Sequence, residues 1–390
     1  MKIFEPFNLK GRELKNRIVK SATLENMATL EGLPTEETRH FYERLARGGA
    51  GLIITGFAYI NERGQSYPLQ NGIHMDKAVT EWRRITDAVH DLGGKIAMQI
   101  VHGGRQTKAR ALGGRRAGAP SAIPNLVYFT IPEPMTDAEI LQTIQDFGNA
   151  AARVKQAGFD AVQIHGAHGY LISAFLSPIL NRRGDRWGGV FENRFRFIAE
   201  VYAAVRKAVG TDYPVLYKMN VNDFMPFGTT ERDSFPAAVR LAGLGLDALE
   251  ISGGIYETGL SVVRGKSFAD TMARGHGMFL KYYYKTVLGI EEKVFPFHEA
   301  YFLSAAEKLK PLLNIPLMLV GGIRSPDIAE NVLSSGAAEF VSMARPLIRE
   351  PALPNRWLQG DNRPAQCVSC NRCFGELDHG SKLRCYFRKD

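Results

Sequence analysis

The sequence predicts a closed (β/α)8 barrel of the TIM type followed by a short cysteine-rich tail, and three observations carry that expectation. Eight short apolar runs alternate with longer amphipathic segments, reactive side chains gather just after those runs, and all four cysteines fall between Cys367 and Cys385. The runs lie at 18–21, 52–56, 95–100, 161–165, 215–220, 248–252, 317–321 and 340–342. Each is too short for a stable helix and largely apolar, as strands buried on both faces of a parallel sheet are.

The segments between them, at 35–47, 78–92, 136–157, 192–209, 234–244, 300–313 and 326–335, repeat apolar residues at helical spacing. Phe147, Ala151, Val154 and Ala157 are one such set, and Phe195, Ile198, Val201 and Val205 another. Eight βα units in one chain favour closure, because an open sheet of that size leaves two edges to protect.

With 390 residues, 45% of them hydrophobic, the chain can bury a large core. Residues 1–360 are expected to form the barrel. Past Trp357 the composition turns to Gly, Asn, Pro, Cys and charge, so residues 361–390 are expected to be a separate tail. Two connections, 101–135 and 253–299, are too long for plain barrel loops and are candidate lids. The second carries Phe279-Leu-Lys-Tyr-Tyr-Tyr-Lys285, which could grip a substrate, meet another subunit, or lie along the barrel.

No stretch has the uninterrupted apolar length of a membrane span, and the amino terminus lacks the apolar core of a signal peptide. A cytoplasmic address with no membrane partner is the expectation. The formal charge of +9 comes from Lys and Arg interleaved with acids, the pattern of a solvated surface rather than of a nucleic-acid site.

The chemistry is concentrated after the strands. The fourth run leads into His165-Gly-Ala-His168-Gly-Tyr170, placing two imidazoles and a phenol where a barrel collects its active groups. A lone buried histidine is usually a packed residue; His-x-x-His with Tyr170 at a strand end points instead to a pocket. The spacing predicts the two histidines one helical turn apart, on one side of the following segment. Other strand ends supply Ser21, Ala22 and Thr23, then Gln99, Lys218, Asn220 and Ser252. Gly321-Gly322 after the seventh strand and Ala344-Arg345 after the eighth match the barrel's phosphate site, where backbone N–H groups face an anion and an arginine adds charge. The tail spacing Cys367-x2-Cys370-x2-Cys373-x11-Cys385 is that of a metal site.

Three passages carry a family resemblance over nearly the whole chain: Leu14-Lys-Asn-Arg-Ile-Val19, Gln99-Ile-Val-His-Gly-Gly-Arg105, and His165-Gly-Ala-His-Gly-Tyr170-Leu continuing to Asn181-Arg-Arg-Gly-Asp-Arg-Trp-Gly-Gly-Val-Phe-Glu-Asn-Arg194. The chain resembles the old yellow enzyme family of FMN-dependent oxidoreductases. That resemblance implies a barrel with FMN at its carboxyl mouth and NAD(P)H as reductant. It assigns Ser21, Ala22 and Thr23 to the flavin ring edge, Gln99 to the pyrimidine ring, and Lys218 to the neighbourhood of flavin N1. Gly321, Gly322, Ala344 and Arg345 take the phosphate. His165 and His168 take the substrate oxygen, and Tyr170 donates a proton. Leu24 follows Thr23 near a point where many relatives carry Thr or Cys, a departure expected to alter the flavin potential.

The tail resembles the segment after the barrel in the trimethylamine dehydrogenase and 2,4-dienoyl-CoA reductase branch, which implies a [4Fe-4S] cluster on Cys367, Cys370, Cys373 and Cys385. Zinc is the chemical alternative. The expected function is NAD(P)H-dependent reduction of an activated alkene, such as an enone or enal, with a small-molecule substrate. A flavin-carrying electron-transfer subunit that docks a partner protein is the non-catalytic rival. A tRNA dihydrouridine synthase fits less well, because no cysteine precedes Cys367. A homo-oligomer stays open.

Overall fold

The computed structural model describes residues 1–387. Its centre is a ring of eight parallel strands: β1 (Ile18–Lys20), β2 (Leu52–Ile54), β3 (Ile96–Val101), β4 (Ala161–Gly166), β5 (Val215–Asn220), β6 (Ala248–Ser252), β7 (Leu317–Val320) and β8 (Phe340–Met343). Each pairs with the next, and β8 returns to β1 through Val341 opposite Ile18, so the barrel is closed. All eight expected strands are present, because continuous burial on both faces leaves an unbroken apolar run in the sequence.

Around the ring lie α1 (Glu36–Arg47), α2 (Lys77–Asp91), α3 (Asp137–Gln156), α4 (Phe191–Val209), α5 (Glu231–Gly243), α6 (Leu303–Leu309) and α7 (Pro326–Ser334). Thr35, Thr136 and Thr230 cap α1, α3 and α5 in reciprocal capping boxes, which fixes where these helices begin. The Thr230 cap starts α5 three residues before the expected 234. Pro311 stops α6 early, and one 3-10 turn, Lys310–Leu312, follows it.

One feature is absent from the sequence expectation. Strands Phe7–Leu9 and Arg12–Leu14 form an antiparallel hairpin. Its turn places Lys10 at φ 47° and Gly11 at φ 80°, the left-handed pair that tight hairpins require. Leu9 and Leu14 join Val19, Leu52, Ile54, Ala97, Ala161, Leu216, Ala248, Met318 and Phe340 in an apolar plug inside the barrel, and Phe7 meets Phe340 edge-on at 4.7 Å. The amino-terminal end of the barrel is thereby filled, and the carboxyl end is left to hold a site.

The two long connections and the tail build over that carboxyl end. Helix Met278–Val294 of the second connection meets the first where Tyr283 and Tyr284 donate to the Leu126 and Val127 carbonyls (3.4 and 3.3 Å). In the tail, helix Arg372–Asp378 packs near the short helix Ala269–Met272, and Ala365, Leu377 and Leu383 are buried in the same core as the barrel helices. Asn26 donates to the Leu377 carbonyl (2.8 Å) and the Leu383 N–H to the Glu25 carbonyl (2.8 Å), which stitches the tail to the loop after β1. Among the described residues, no helix is long and apolar enough to cross a membrane.

Candidate functional site

The strand ends open into one large cavity lined by Ser21, Ala22, Thr23, Gln99, His165, His168, Tyr170, Lys218, Gly322, Ala344 and Arg345. Eleven of the twelve residues expected at the flavin and substrate site therefore line it. Gly321, the twelfth, is buried behind Gly322 at φ 138° and is not part of the lining.

The floor is polar and buried. Lys218 donates to Ser21 Oγ (2.9 Å) and pairs with Glu250 (3.2 Å). Ser21 and Gln163 donate to the two Glu250 oxygens (2.7 and 3.0 Å), and Gln99 donates to Gln163 (2.6 Å). Behind this network a second pair is buried: Lys20 donates to the Ser21 carbonyl (2.6 Å), while Glu25 takes the Gly56 N–H (2.6 Å) and the Tyr42 hydroxyl. Burial, partly offset by each other's charge, holds Lys20 below its usual range and pushes Glu25 up. Two ammonium groups face two carboxylates, so the cation expected at Lys218 is balanced rather than free. Glu250 and Gln163 belong to this floor, and the sequence reading did not single them out. The detectable signal was a carboxylate at the centre of the apolar run 248–252.

His165 and His168 meet with ring centroids 5.2 Å apart, but not on one turn of a helix. His165 lies in β4, while His168 sits in the loop after it at φ 62°, where a non-glycine residue is strained. The Asn220 side chain accepts the His168 N–H (3.1 Å) and holds that conformation. The sequence expectation of helical spacing is corrected accordingly: helix Leu171–Leu176 begins only after Tyr170. Tyr170 stands against His165 (4.8 Å) and Phe57 (5.2 Å). The Ala167 N–H donates to His165 Nδ1 (3.3 Å), which leaves the His165 proton on Nε2. His168 Nε2 lies 2.8 Å from Ser252 Oγ. Burial, with Lys218 and in the case of His165 also His168 adding, holds both imidazoles well below their usual pKa, so each is neutral. Burial also raises the Tyr170 phenol well above 10.

At the ends of β7 and β8, Ser342 Oγ and Arg324 Nε are buried without a partner among the described residues, and both residues line the cavity. Gly322 takes φ 76°, and a Cβ there would stand 2.8 Å from the His298 carbonyl. Unpaired donors beside a glycine at a strand end suit an anion, so this chain fits the phosphate of FMN. Arg345 is anchored through one guanidinium nitrogen, Nη1. Its guanidinium donates to the Arg264 carbonyl (3.0 Å) and to Asn371, tying the second connection to the tail.

The roof is mostly apolar: Leu126, Val127, Phe268, Met272, Leu288 and Phe374 line it. Tyr67, Tyr128 and Tyr256 add a group of phenols that the sequence reading missed, because loop residues carry no periodic signal. The four cysteines line a second, smaller cavity with Arg345 and Arg349, and Cys373 borders the first cavity as well. Burial, with the neighbouring thiols adding to it, pushes the Cys373 thiol up to about 12. Among the described residues, no group of three or more His, Cys, Asp or Glu is arranged to hold a single metal ion.

Residues 2–285 match the NADH:flavin oxidoreductase / NADH oxidase family. The chain is 35% identical to the NADH oxidase of Thermoanaerobacter brockii over 98% of its own length, and it spans 55% of that protein. It is also similar in structure to a 2-naphthoyl-CoA reductase in complex with 2-naphthoyl-CoA, with a TM-score of 0.84 and 25% identity over 98% of this chain and 56% of that one. The old yellow enzyme homologue of Zymomonas mobilis gives a TM-score of 0.75 and 27% identity, covering 95% of this chain and 96% of that one. A closed barrel, a histidine pair beside Tyr170 and a match over most of the sequence lead to one conclusion: the chain belongs to the NADH:flavin oxidoreductase / NADH oxidase family, the old yellow enzymes.

Proposed function

We propose that this chain is an FMN-dependent oxidoreductase that uses NAD(P)H to reduce the C=C bond of an activated alkene. The observation that carries the reading is the convergence of His165, His168 and Tyr170 above the Lys218 floor in one cavity. Ser21, Ala22, Thr23, Gln99 and Lys218 would hold the flavin ring, and Gly321, Gly322, Ala344 and Arg345 its phosphate. FMN, when bound, supplies hydride to the β carbon of the alkene.

Negative charge then grows on the substrate's carbonyl oxygen. His165 offers Nε2–H. His168, whose Nε2 lies 2.8 Å from Ser252 Oγ, offers Nδ1–H when Ser252 donates to Nε2, and the two neutral imidazoles then stabilise that oxygen without titrating away near neutral pH. Tyr170, fully protonated because it is buried, gives its proton to the α carbon. The apolar roof supports a bulky, weakly polar substrate.

In the tail, Cys367, Cys370, Cys373 and Cys385 would hold a [4Fe-4S] cluster, which supplies one-electron transfer when bound. Four thiols around one cavity support a thiolate-held metal group there, with zinc as the chemical alternative to the cluster. Cys373, shared by the two cavities, favours a second reading in which electrons pass between flavin and a partner protein.

Anaerobically purified protein should be yellow, release FMN on denaturation, and contain iron that Cys370→Ser removes while FMN stays bound. It should oxidise NADPH with 2-cyclohexenone, and Tyr170→Phe should slow that turnover while sparing flavin reduction. Protein that cannot be reconstituted with FMN would end the proposal. Reduction of a protein acceptor with no alkene turnover would replace it by the second reading.

A further inference from the structure

Tyr170 does not stand alone. Its hydroxyl is 3.2 Å from that of Tyr256, which is 2.8 Å from that of Tyr67, which is 2.7 Å from that of Tyr128. Four phenols from four separate segments thus form one hydrogen-bonded row. Tyr170 is 1% exposed and Tyr67 3%, whereas Tyr256 and the outermost, Tyr128, are half-buried. At that outer end the Lys108 ammonium lies 5.1 Å from the centre of the Tyr67 ring and 5.3 Å from that of Tyr128, and it pairs with Asp378 of the tail helix (2.7 Å).

We infer that Tyr256, Tyr67 and Tyr128 are a proton relay that resupplies Tyr170, running from the α carbon of the substrate to the Lys108–Asp378 pair at the edge of the cavity. The inference rests on the reading of Tyr170 as the proton donor. A phenolate confined to the Tyr170 position would be buried beside two neutral histidines, an expensive place for a charge. In the relay Tyr170 breaks its O–H bond to protonate carbon and takes the Tyr256 proton. Tyr256 takes that of Tyr67, and Tyr67 that of Tyr128. Tyr128 is reprotonated by solvent water, which is left as hydroxide. One proton enters, one leaves to carbon, and every phenol ends as it began. The negative charge passes outwards along the row and does not rest on the outer phenols, whose ionisation is opposed by burial and by the nearby Asp378 carboxylate, so it is discharged at Tyr128 by water. Burial raises the pKa of all four phenols, so all four are loaded at neutral pH; at Tyr256 the bonds from its neighbours offset part of that rise.

The two half-reactions separate this role from a structural one. Flavin reduction by NADPH and reoxidation by 2-cyclohexenone are followed in turn by anaerobic stopped-flow absorbance, with ferricyanide as an acceptor that needs no carbon protonation. Tyr256→Phe should slow reoxidation by the enone about 100-fold, the lower end of what a general acid contributes, and leave FMN content, reduction by NADPH and reoxidation by ferricyanide unchanged. Tyr67→Phe, one link further out, should show the same pattern with a smaller loss, and it serves in place of Tyr256→Phe if that variant loses FMN. A relay acts in series, so the double variant Tyr170→Phe/Tyr256→Phe should be no slower than Tyr170→Phe alone.

Multiplying losses in the double variant would make Tyr256 a parallel donor and overturn the relay. So would enone rates unchanged in Tyr256→Phe and Tyr67→Phe while Tyr170→Phe is slow, in which case Tyr170 stands as donor without a relay. If Tyr170→Phe itself reoxidises normally with the enone, the donor assignment fails and the relay with it.

Discussion

The floor and the roof of the cavity are built on opposite principles. Most polar groups of the floor come from strands or the residues just after them, and its charges are balanced between neighbours: Lys218 with Glu250 on the adjacent strand, Lys20 near Glu25 of the loop after β1. The roof comes from connections and tail, its walls are mostly apolar, and a row of hydroxyls runs through it to the Lys108–Asp378 pair, with Arg105 and Glu257 paired alongside. The floor is therefore suited to hold a cofactor in one fixed electrostatic setting. The roof is suited to choose a substrate and to move a proton.

The largest expected effect tests the floor. Glu250→Ala strands the Lys218 charge in a fully buried position, and breaking a buried pair from one side costs about 3–5 kcal/mol. Chemical denaturation should show that loss; a change no larger than that of a surface substitution would mean water already reaches the floor. Next comes the boundary between the two regions. His165→Ala and His168→Ala should each slow enone reduction by about 100-fold, the worth of one oxyanion donor, with FMN content intact. Phenolic ligands, whose oxygen imitates the charged one, should bind more weakly to both variants.

A smaller effect lies in the roof. Glu291 of helix Met278–Val294 accepts the Leu260 N–H (2.8 Å), and burial pushes its carboxyl up from 4.5 to about 7. Between those values the folded protein keeps a proton that the unfolded chain has lost, so this group's contribution to stability falls as pH rises from 4.5 to 7 and is level above it. Glu291→Gln should flatten thermal stability across that window by about 1–3 kcal/mol. An unaltered pH profile would place the carboxyl in water. Smallest of all, Phe279→Ser on the exposed face of the same helix should change stability by no more than about 0.5 kcal/mol. A large loss there would show that the roof's outer face is covered.

The same division governs what could be read from the sequence. The eight strands and the chemical residues at their ends were legible because burial on both faces writes itself as an uninterrupted apolar run, after which function begins. The hairpin Phe7–Leu14 was not, since two three-residue strands are too short to show alternation; only Lys10-Gly11 hinted at its turn. Glu250 and Gln163 were hidden because a polar residue inside a strand looks like an interruption until the partner across the barrel is known. Tyr67, Tyr128 and Tyr256 come from unrelated loops, so only tertiary structure joins them. The histidine spacing was seen correctly, but its geometry was misassigned. A left-handed pair, His168 and Gly169, does what a helical turn was expected to do.

Closure of the barrel between Ile18 and Val341, with Leu377 and Leu383 packed over its mouth, also constrains the order in which the protein can be assembled. During synthesis β1 is exposed without one of its neighbours until β8 has left the ribosome, and the cavity lacks part of its wall until residue 383 follows. Cofactor capture is thus a late event, and folding depends on contacts between segments made far apart in time. A chain interrupted before β8 would present an open-edged sheet, a template for pairing with other strands that the closed barrel removes.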